Sequence, residues 1–253
     1  MEAPSPSPAS DLDQSQLLRY VQDMHQLRKQ REQAYRRLAH AHRITLSKLA
    51  LAAEYKDGDT GAHIERIGAL SGVLAQALGQ AAEWCELIVQ AAPMHDVSKI
   101  GIPDHILKKP GPLTTDERRI METHSLIGAQ ILGGTDVPVL QMAAEIALGH
   151  HERWNGSGYP SGVLELEIPL CARIVAVADF LDALMMDRCY RPALGEDEVL
   201  SMIKAGRGSH FDPAIVDVTV TQFPQLVALR KRIDKRTTAD QLDGGTAAVG
   251  PSH

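Results

Sequence analysis

Histidines and aspartates recur in this chain at positions where a partly buried side chain could bind a metal ion. The segment MHDVSKIGIP (94–103) places His95 next to Asp96, with Lys99 three residues later, between an apolar helical stretch and a helix-breaking Gly-x-Pro. A histidine paired within the core is one explanation, and a metal site acting on a phosphate is the other. Two adjacent residues do not decide between these explanations. Further candidate ligands elsewhere in the chain would favour the metal site.

Four further histidines and an aspartate occupy comparable positions. His63 opens an amphipathic stretch and His124 interrupts another. His150 and His151 end an apolar stretch, and Asp179 lies inside the most apolar one, where a carboxylate is costly to bury unless it is paired or bound to a cation. Each histidine alone is more often a surface or hydrogen-bonded core residue. Together they favour a metal site built between helices.

Asp59 is a further candidate, because it precedes His63 by four residues. The two side chains share a helix face if the helix already includes both. If Thr60 caps that helix instead, Asp59 lies just before its first turn and can still lean over it.

The elements that must position these residues read as helices. One amphipathic helix is predicted from apolar residues that recur every three or four positions, and Gly79 ends it. These residues are Ile64, Ile67, Leu70, Leu74 and Leu78. Thr114 and Glu117 have capping-box spacing, and Pro169 stands in the first turn of the most apolar stretch, which is predicted to be a central buried helix. Sustained period-two alternation is absent from the sequence, so an all-α fold is predicted.

Composition limits the class of protein. The 253 residues are 44% hydrophobic, and a net charge of −6 argues against binding to duplex nucleic acid. The three cysteines, Cys85, Cys171 and Cys189, have no metal-binding or disulfide spacing, which favours a reducing compartment. The sequence has no apolar run long enough to cross a bilayer, and it begins without a secretory-signal pattern. We therefore expect a cytoplasmic protein without a membrane span.

The sequence divides into four parts. Residues 1–11 are rich in Pro and Ser and are predicted to be disordered, residues 12–50 form one long helix, residues 51–233 form the helical domain with all of the candidates, and residues 234–253 form a flexible tail. The long helix carries a weak coiled-coil seam, interrupted at Arg31, made of Tyr20, Met24, Leu27, Ala34, Leu38 and Ala41. A solvated face is the favoured explanation of this helix, and a homodimer or a docking element is the alternative.

Four segments of the domain resemble the HD-GYP family, a bacterial branch of the HD metal-dependent phosphohydrolases. They are HDVSKIGIPDHILKKPGPLT, METHSLIGAQIL, GHHERWNGSGYP and VAVADFLDALMMDRCYRPAL, in the family's order and spacing. The resemblance covers about residues 51–222. It implies that residues 51–233 are an HD-GYP catalytic domain, an HD-type helical bundle that hydrolyses cyclic di-GMP with two or three bound metal ions.

The resemblance also assigns roles to residues. The implied metal ligands are His63, His95, Asp96, His124, His150, His151 and Asp179. Asp96 would bridge two ions, and the histidines and Asp179 would complete the two coordination spheres. Asp59 stands where some members hold a third metal with a glutamate. Ligands that are all histidine or carboxylate favour Fe or Mn over structural Zn.

The implied reaction is attack on the phosphodiester by a metal-bridged hydroxide, because two cations about 3.5–4 Å apart can activate water and neutralise charge on phosphorus. Asp96 and Lys99 would act in catalysis, and Lys99, Tyr159, Arg188 and Arg191 would contact the substrate. The product would be linear pGpG, which a third metal would help to convert to GMP.

Two alternatives remain open at this level. The domain could hydrolyse another cyclic or linear nucleotide with the same chemistry and a different base pocket. It could also serve as a signalling module that responds to cyclic di-GMP with little turnover.

Overall fold

Helices make up the regular structure of this protein in a computed structural model that describes residues 8–57, 61–187 and 192–245. In chain order the described helices are α1 (Pro8–Asp57), α2 (Ala62–Ala77), α3 (Ala82–Ala91), α4 (Asp104–Leu107), α5 (Thr115–Leu132), α6 (Pro138–Gly149), α7 (Leu170–Leu184), α8 (Glu196–Ala205) and α9 (Pro213–Gly245). Within these ranges, extended backbone pairs only at the isolated bridges Asn155–Leu164 and Arg207–Phe211. The predicted all-α class is confirmed.

The core forms where α2 and α7 pack together, with α3, α6 and α9 around them. On α2 the predicted apolar face is buried, since Ile67, Leu70 and Leu74 are fully inaccessible to solvent. Helix α7 is buried along most of its length, as its apolar sequence predicts. Each large aliphatic side chain buried in this way contributes about 1.5–3 kcal/mol to stability.

Helix ends follow the sequence signals and fix where polar residues emerge. The amide of Glu117 donates to Thr114 Oγ1 at 3.3 Å and the amide of Thr114 donates to Glu117 Oε2 at 2.7 Å, which completes the predicted capping box of α5. Pro169 is the N-cap residue of α7. A helix that begins or ends at a defined residue presents its terminal side chains at a defined place.

The chain divides into two units, residues 1–45 and residues 46–253. In the first, every described side chain from residue 15 to residue 45 is exposed. Helix α1 begins at Pro8, four residues before the predicted start, because proline is tolerated in a first helical turn. Residues 1–7 of the segment predicted to be disordered lie outside the described residues. Within the described ranges, no helix is both long and apolar enough to span a membrane.

The C-terminal helix differs from its prediction. The sequence suggests a short helix from Pro213 and a flexible tail from residue 234, but α9 continues to Gly245. The extension packs on α2, with Ile233 buried and Arg66 donating to Asp234 Oδ1 at 2.7 Å. These tertiary contacts stabilise a stretch whose composition alone resembles a loose tail. Residues 246–253 lie outside the described part of the chain.

Candidate metal centre and adjacent cavity

The HD pair lies where regular helix is interrupted. Helix α3 is followed by two short 3₁₀ turns, Ala92–Met94 and Val97–Gly101, and His95 and Asp96 lie between them. Asp96 has φ −109° and ψ 12°, so the chain bends away from a helical course at this residue. The amide of Lys99 donates to the Asp96 carbonyl oxygen at 3.0 Å, which sets the tight turn. The break therefore aims two adjacent side chains into the space between the helices.

Four other elements complete the arrangement. His63 lies in the first turn of α2 and His124 in α5, while His150 caps the C-terminus of α6 and His151 follows it. Asp179 lies in α7. The structure brings together all seven ligands implied by the resemblance, in two sets whose candidate ligand atoms lie within 4.8 Å of one another: His63, His95 and Asp179 in one, and Asp96, His124, His150 and His151 in the other.

Asp96 lies between these two sets. Its Oδ1 is 3.4 Å from His124 Nε2 and 3.6 Å from His150 Nε2. Its Oδ2 is 3.3 Å from His95 Nε2 and 2.8 Å from Lys99 Nζ. One carboxylate oxygen therefore faces each set, which is the geometry that a bridging ligand requires. Below, the His63 group means His63, His95 and Asp179, and the His124 group means His124, His150 and His151.

The donor atoms of this centre fit metal ions. Four of its buried polar atoms find no hydrogen-bond partner among the described residues, namely the Nε2 atoms of His95, His124 and His150 and Oδ1 of Asp96. The opposite ring nitrogens of the same histidines lie 2.7–3.1 Å from backbone carbonyls, at Ala92, Met121, Ile146 and Ala147. A protonated Nδ1 that donates to a carbonyl leaves Nε2 as a free lone pair. Buried lone pairs that converge on one carboxylate are suited to hold cations.

His63 is held differently, by a buried carboxylate. Its Nδ1 lies 2.8 Å from Asp182 Oδ2, while its Nε2 lies 3.7 Å from Asp179 Oδ1 at the centre. Asp182 is fully buried and also accepts hydrogen bonds from Arg66 Nε at 2.6 Å and Arg230 Nε at 2.9 Å. Burial opposes ionisation of Asp182, but His63 and Arg66 outweigh it and hold the pKa of Asp182 well below its usual range. Asp182 therefore orients the His63 ring as an ionised acceptor.

The two groups differ in electrostatics. Burial lowers the pKa of His95, but the neighbouring carboxylates, Asp96 first, outweigh it and raise that pKa to about 9. The pKa of His63 is also raised, because Asp182 and Asp179 outweigh the effect of burial. In the His124 group, burial and the charge of His150 lower the pKa of His151 well below its usual value. Protons therefore compete with cations mainly in the His63 group.

The Gly-Tyr-Pro loop packs tightly against the His124 group. Glu152 is buried and accepts from the amides of Ser161 at 2.7 Å and Gly162 at 3.1 Å. A Cβ atom at Gly158 would lie 2.6 Å from the His151 carbonyl oxygen, so a glycine is required there. The loop places the Tyr159 ring on the His151 ring, with centroids 4.7 Å apart and planes at 27°.

A cavity of about 330 Å³ opens beside Tyr159. It is lined by Arg118, Glu122, His151, Arg153, Ser157, Gly158, Tyr159 and His210. Burial raises the pKa of Tyr159, so its hydroxyl stays protonated and can donate a hydrogen bond. Two arginines and a hydroxyl next to a metal centre can bind an anionic ligand with aromatic surface.

Several residues of this site were not predicted from the sequence, and three predicted residues lie outside the part of the chain that the structure describes. Asp182 follows Asp179 by three residues on the same helix, so the i, i+3 spacing could have identified it. Arg118 and Arg153 carried no local signal, because only the fold brings them to the cavity. Asp59, Arg188 and Arg191 lie outside the described residues.

Comparison with known proteins identifies the family. A family model described as an HD domain matches residues 49–215. The chain belongs to the HD domain family. Its relatives support the HD-GYP branch: it is 48% identical, over 73% of its length, to the cyclic di-GMP phosphodiesterase response regulator RpfG of Xanthomonas campestris pv. campestris. It is also 38% identical, over 72% of its length, to the 3'3'-cGAMP-specific phosphodiesterase 2 of Vibrio cholerae.

A solved structure supports the HD fold. The crystal structure of a cyclic GMP-AMP specific phosphodiesterase of Vibrio cholerae aligns with a TM-score of 0.54 at 19% identity, over 76% of this chain and 52% of that one. This HD protein spans 49% of the length of the Xanthomonas relative and 35% of that of the Vibrio relative.

Proposed function

We propose that this HD-GYP protein hydrolyses cyclic di-GMP to linear pGpG. The observation that carries the proposal is Asp96, whose two oxygens face two groups of buried histidines beside a cavity with arginines and a tyrosine. The name of the Xanthomonas relative supports cyclic di-GMP as the substrate. We propose the cytoplasm as the compartment, because Cys85 and Cys171 are free thiols, which is typical of a reducing environment.

The residues divide the work between holding cations and holding substrate. The His63 group would hold one cation, the His124 group a second, and Asp96 would bridge them. When bound, these cations would activate water and draw negative charge away from the phosphorus. Lys99, whose Nζ lies 2.8 Å from Asp96, would add positive charge next to the scissile phosphate.

Substrate binding falls to the cavity. The Tyr159 ring offers a face on which a guanine can stack, and Arg118 and Arg153 can pair with phosphate oxygens. By resemblance, Arg188 and Arg191 would add two more cations on the guanylyl phosphates. A phosphodiester attacked at the Asp96 centre would thus have its other half anchored beside Tyr159.

Turnover by purified protein tests this proposal. Protein stripped with a chelator and reloaded with Mn²⁺ or, without oxygen, Fe²⁺ should convert cyclic di-GMP to pGpG, followed by chromatography of the products. The stripped protein should be inactive, and the Asp96→Asn variant should stay inactive after reloading. A reloaded protein that binds cyclic di-GMP without cleaving it would instead support the signalling-module alternative.

A different cyclic dinucleotide is the second candidate substrate. The Vibrio relative is named for 3'3'-cGAMP, and the catalytic chemistry would be the same. Parallel assays with cyclic di-GMP and 3'3'-cGAMP at equal concentrations give the ratio of the two kcat/KM values. We expect a ratio above one in favour of cyclic di-GMP, and a ratio below one would reassign the substrate.

The metal identity and number are also part of the proposal. Histidine and carboxylate ligands favour Fe or Mn. Asp59, four residues before His63, is proposed to reach a third cation, which would help hydrolysis continue from pGpG to GMP. Asp59→Ala should then lower the metal content by one ion and stop the reaction at pGpG. Unchanged metal content and products would leave Asp59 without a role at the centre.

We further propose that a second copy of the chain pairs through α1. The first unit exposes apolar side chains at helical spacing, among them Tyr20 (63% exposed), Met24 (42%) and Leu27 (58%). Coiled-coil pairing would remove them from water. Met24→Glu with Leu27→Glu should halve the mass measured by light scattering, and Gln26→Glu, an exposed control between them, should not. An equal mass for all three proteins would contradict the dimer.

A further inference from the structure

The cavity beside Tyr159 contains a carboxylate that phosphate binding does not explain. Glu122 lines this cavity together with Arg118 and Arg153, whose guanidinium groups suit phosphate oxygens. Glu122 lies on α5, one helical turn after Arg118 and two residues before His124, and it is half-buried. A carboxylate repels a phosphate group, because both are anionic. Glu122 therefore faces another part of any ligand that the arginines hold by its phosphates.

Glu122 is not neutralised by the arginine one turn before it. Its spacing from Arg118 would allow an i, i+4 ion pair. Among the residues that the structure describes, however, neither of these two side chains has an ion-pair or hydrogen-bond partner. Earlier on the same helix, by contrast, Glu117 Oε2 lies 2.5 Å from Lys109 Nζ. The oxygens of Glu122 are therefore available to the hydrogen-bond donors of a ligand.

Aromatic rings without charge line the cavity together with Glu122. The ring of His210 stacks on that of Phe211, with centroids 4.0 Å apart and planes at 13°. Burial and the charge of Arg153 lower the pKa of His210 to about 4, so its ring is neutral at physiological pH. Burial raises the pKa of Tyr159, and the nearby charge of Glu122 raises it further. These rings offer surfaces for a flat purine base beside Glu122.

Of the two common purines, guanine is the one that a carboxylate can read. Its Watson–Crick edge presents two neighbouring donors, N1–H and the exocyclic amino group, which match the two oxygens of a carboxylate. Adenine presents an N1 lone pair at the same place, and this lone pair would face a carboxylate oxygen with no proton between them. A site of this kind rejects the wrong base, because that base leaves polar groups unpaired.

We infer that Glu122 reads guanine, by accepting hydrogen bonds from N1–H and the exocyclic amino group of a base that stacks beside Tyr159. Selectivity for guanine is then a property of α5, separate from the metal centre. The inference rests on the proposed function, because it takes this cavity as the substrate site. It implies that 3'3'-cGAMP can present its single guanine to Glu122, whereas cyclic di-AMP has no base that fits.

Binding of mononucleotides tests this inference without turnover. Isothermal titration calorimetry on the full chain loaded with Mn²⁺ compares GMP, AMP and IMP, which lacks the exocyclic amino group of GMP. The wild type should bind GMP about tenfold more tightly than AMP, because a matched bidentate contact discriminates between bases by a factor of this order. IMP should bind with intermediate affinity. In Glu122→Ala the preference for GMP should disappear, while AMP should bind at least as tightly as it does to the wild type.

Two further variants separate charge from shape. Glu122→Gln keeps the size of the side chain and removes its charge, so it should lose most of the preference for GMP over IMP, and it serves if the alanine variant does not fold. Asp116→Asn removes an exposed charge from the same helix and should keep the wild-type preference. The metal content should be equal in all of these proteins, and circular dichroism checks that each is folded.

The result that overturns the inference is a preference for GMP that survives in Glu122→Ala. Equal weakening of GMP and AMP would also overturn it, because that result indicates a structural role for Glu122. A wild type that binds no nucleotide, or that binds GMP and AMP equally, would do the same. The titrations cleave no phosphodiester. A guanine preference that depends on Glu122, found together with no turnover of cyclic di-GMP, would therefore refute the proposed reaction and not this base site.

Discussion

The His63 group and the His124 group meet at Asp96 but are built in different ways. In the His124 group the Nδ1 atoms of His124 and His150 lie against backbone carbonyls of their own helices. In the His63 group, Nδ1 of His63 lies against a side chain, Asp182, which two buried arginines hold in turn. The first arrangement depends on local helix geometry, and the second depends on contacts between α2, α7 and α9.

The electrostatic surroundings of the two groups also differ. Carboxylates surround the His63 group, so the pKa values of His63 and His95 are raised, whereas burial and neighbouring histidines lower those of His124 and His151. A centre whose halves differ in this way should respond unequally to mutation and to pH. Metal content measured in variants and across pH tests that inequality.

The largest effect is expected at Asp96, because its loss should affect the His63 group and the His124 group equally. Asp96→Ala removes the oxygen that faces each group, so both ions should be lost and turnover should fall by more than about 100-fold. Metal analysis and turnover of cyclic di-GMP check this, with Asp116→Ala, an exposed position in α5, as the control. A variant that kept full metal content and activity would refute the whole assignment.

Asp182 should affect only the His63 group. Asp182→Asn removes the buried charge that Arg66 and Arg230 share and leaves them only the more exposed Asp234, which should lower the free energy of unfolding by about 3 kcal/mol. Without the Asp182 carboxylate to orient its ring, His63 should bind metal less well, and the affinity of the His63 group should fall by about 10–100-fold.

Chemical denaturation and metal titration measure these two changes. Asp217→Asn, which removes the exposed ion pair with Arg207, is the control and should change neither. Equal loss of both ions in Asp182→Asn would show that the groups are not independent.

Lowering the pH should empty the His63 group first. Its cation must displace a proton from His95, whose pKa is about 9, so affinity should fall about tenfold for each pH unit below 9. In metal-free protein the His95 proton stabilises the fold below pH 6.5, and this stability is lost as pH rises through 9. Mn²⁺ titrations between pH 6 and 9 should therefore show one pH-sensitive ion and one that is less sensitive. Two ions with the same pH dependence would contradict the electrostatic difference.

The smallest effect is expected on the cavity side. Tyr159→Ala should leave the metal content unchanged and lower kcat/KM for cyclic di-GMP by about tenfold, because it removes a stacking surface. Tyr159→Phe keeps the ring and should retain most activity. Loss of metal from Tyr159→Ala would mean that the ring supports His151 itself and not the substrate.

Local patterns in the sequence determined much of this protein. The helical repeat of α2, the capping box at Thr114 and the apolar length of α7 each depend on neighbours a few residues apart, and they predict the elements correctly. The histidines and aspartates at helix ends and in apolar helices also predict a metal centre. Polar residues in such stretches are costly to bury unless they are paired or bind a cation. The family motifs then assign the seven ligands that the structure brings together.

Only the tertiary structure decided what supports that centre. Asp182 and Asp234 meet Arg66 across 116 and 168 residues of chain, and Lys56 ties the end of α1 to the turn after Lys99 across 44 residues. The same long-range contacts make α9 helical beyond residue 234, where composition predicts a tail. Ion pairs between distant segments leave no periodic trace in a sequence, because their partners are neighbours only after the helices have packed.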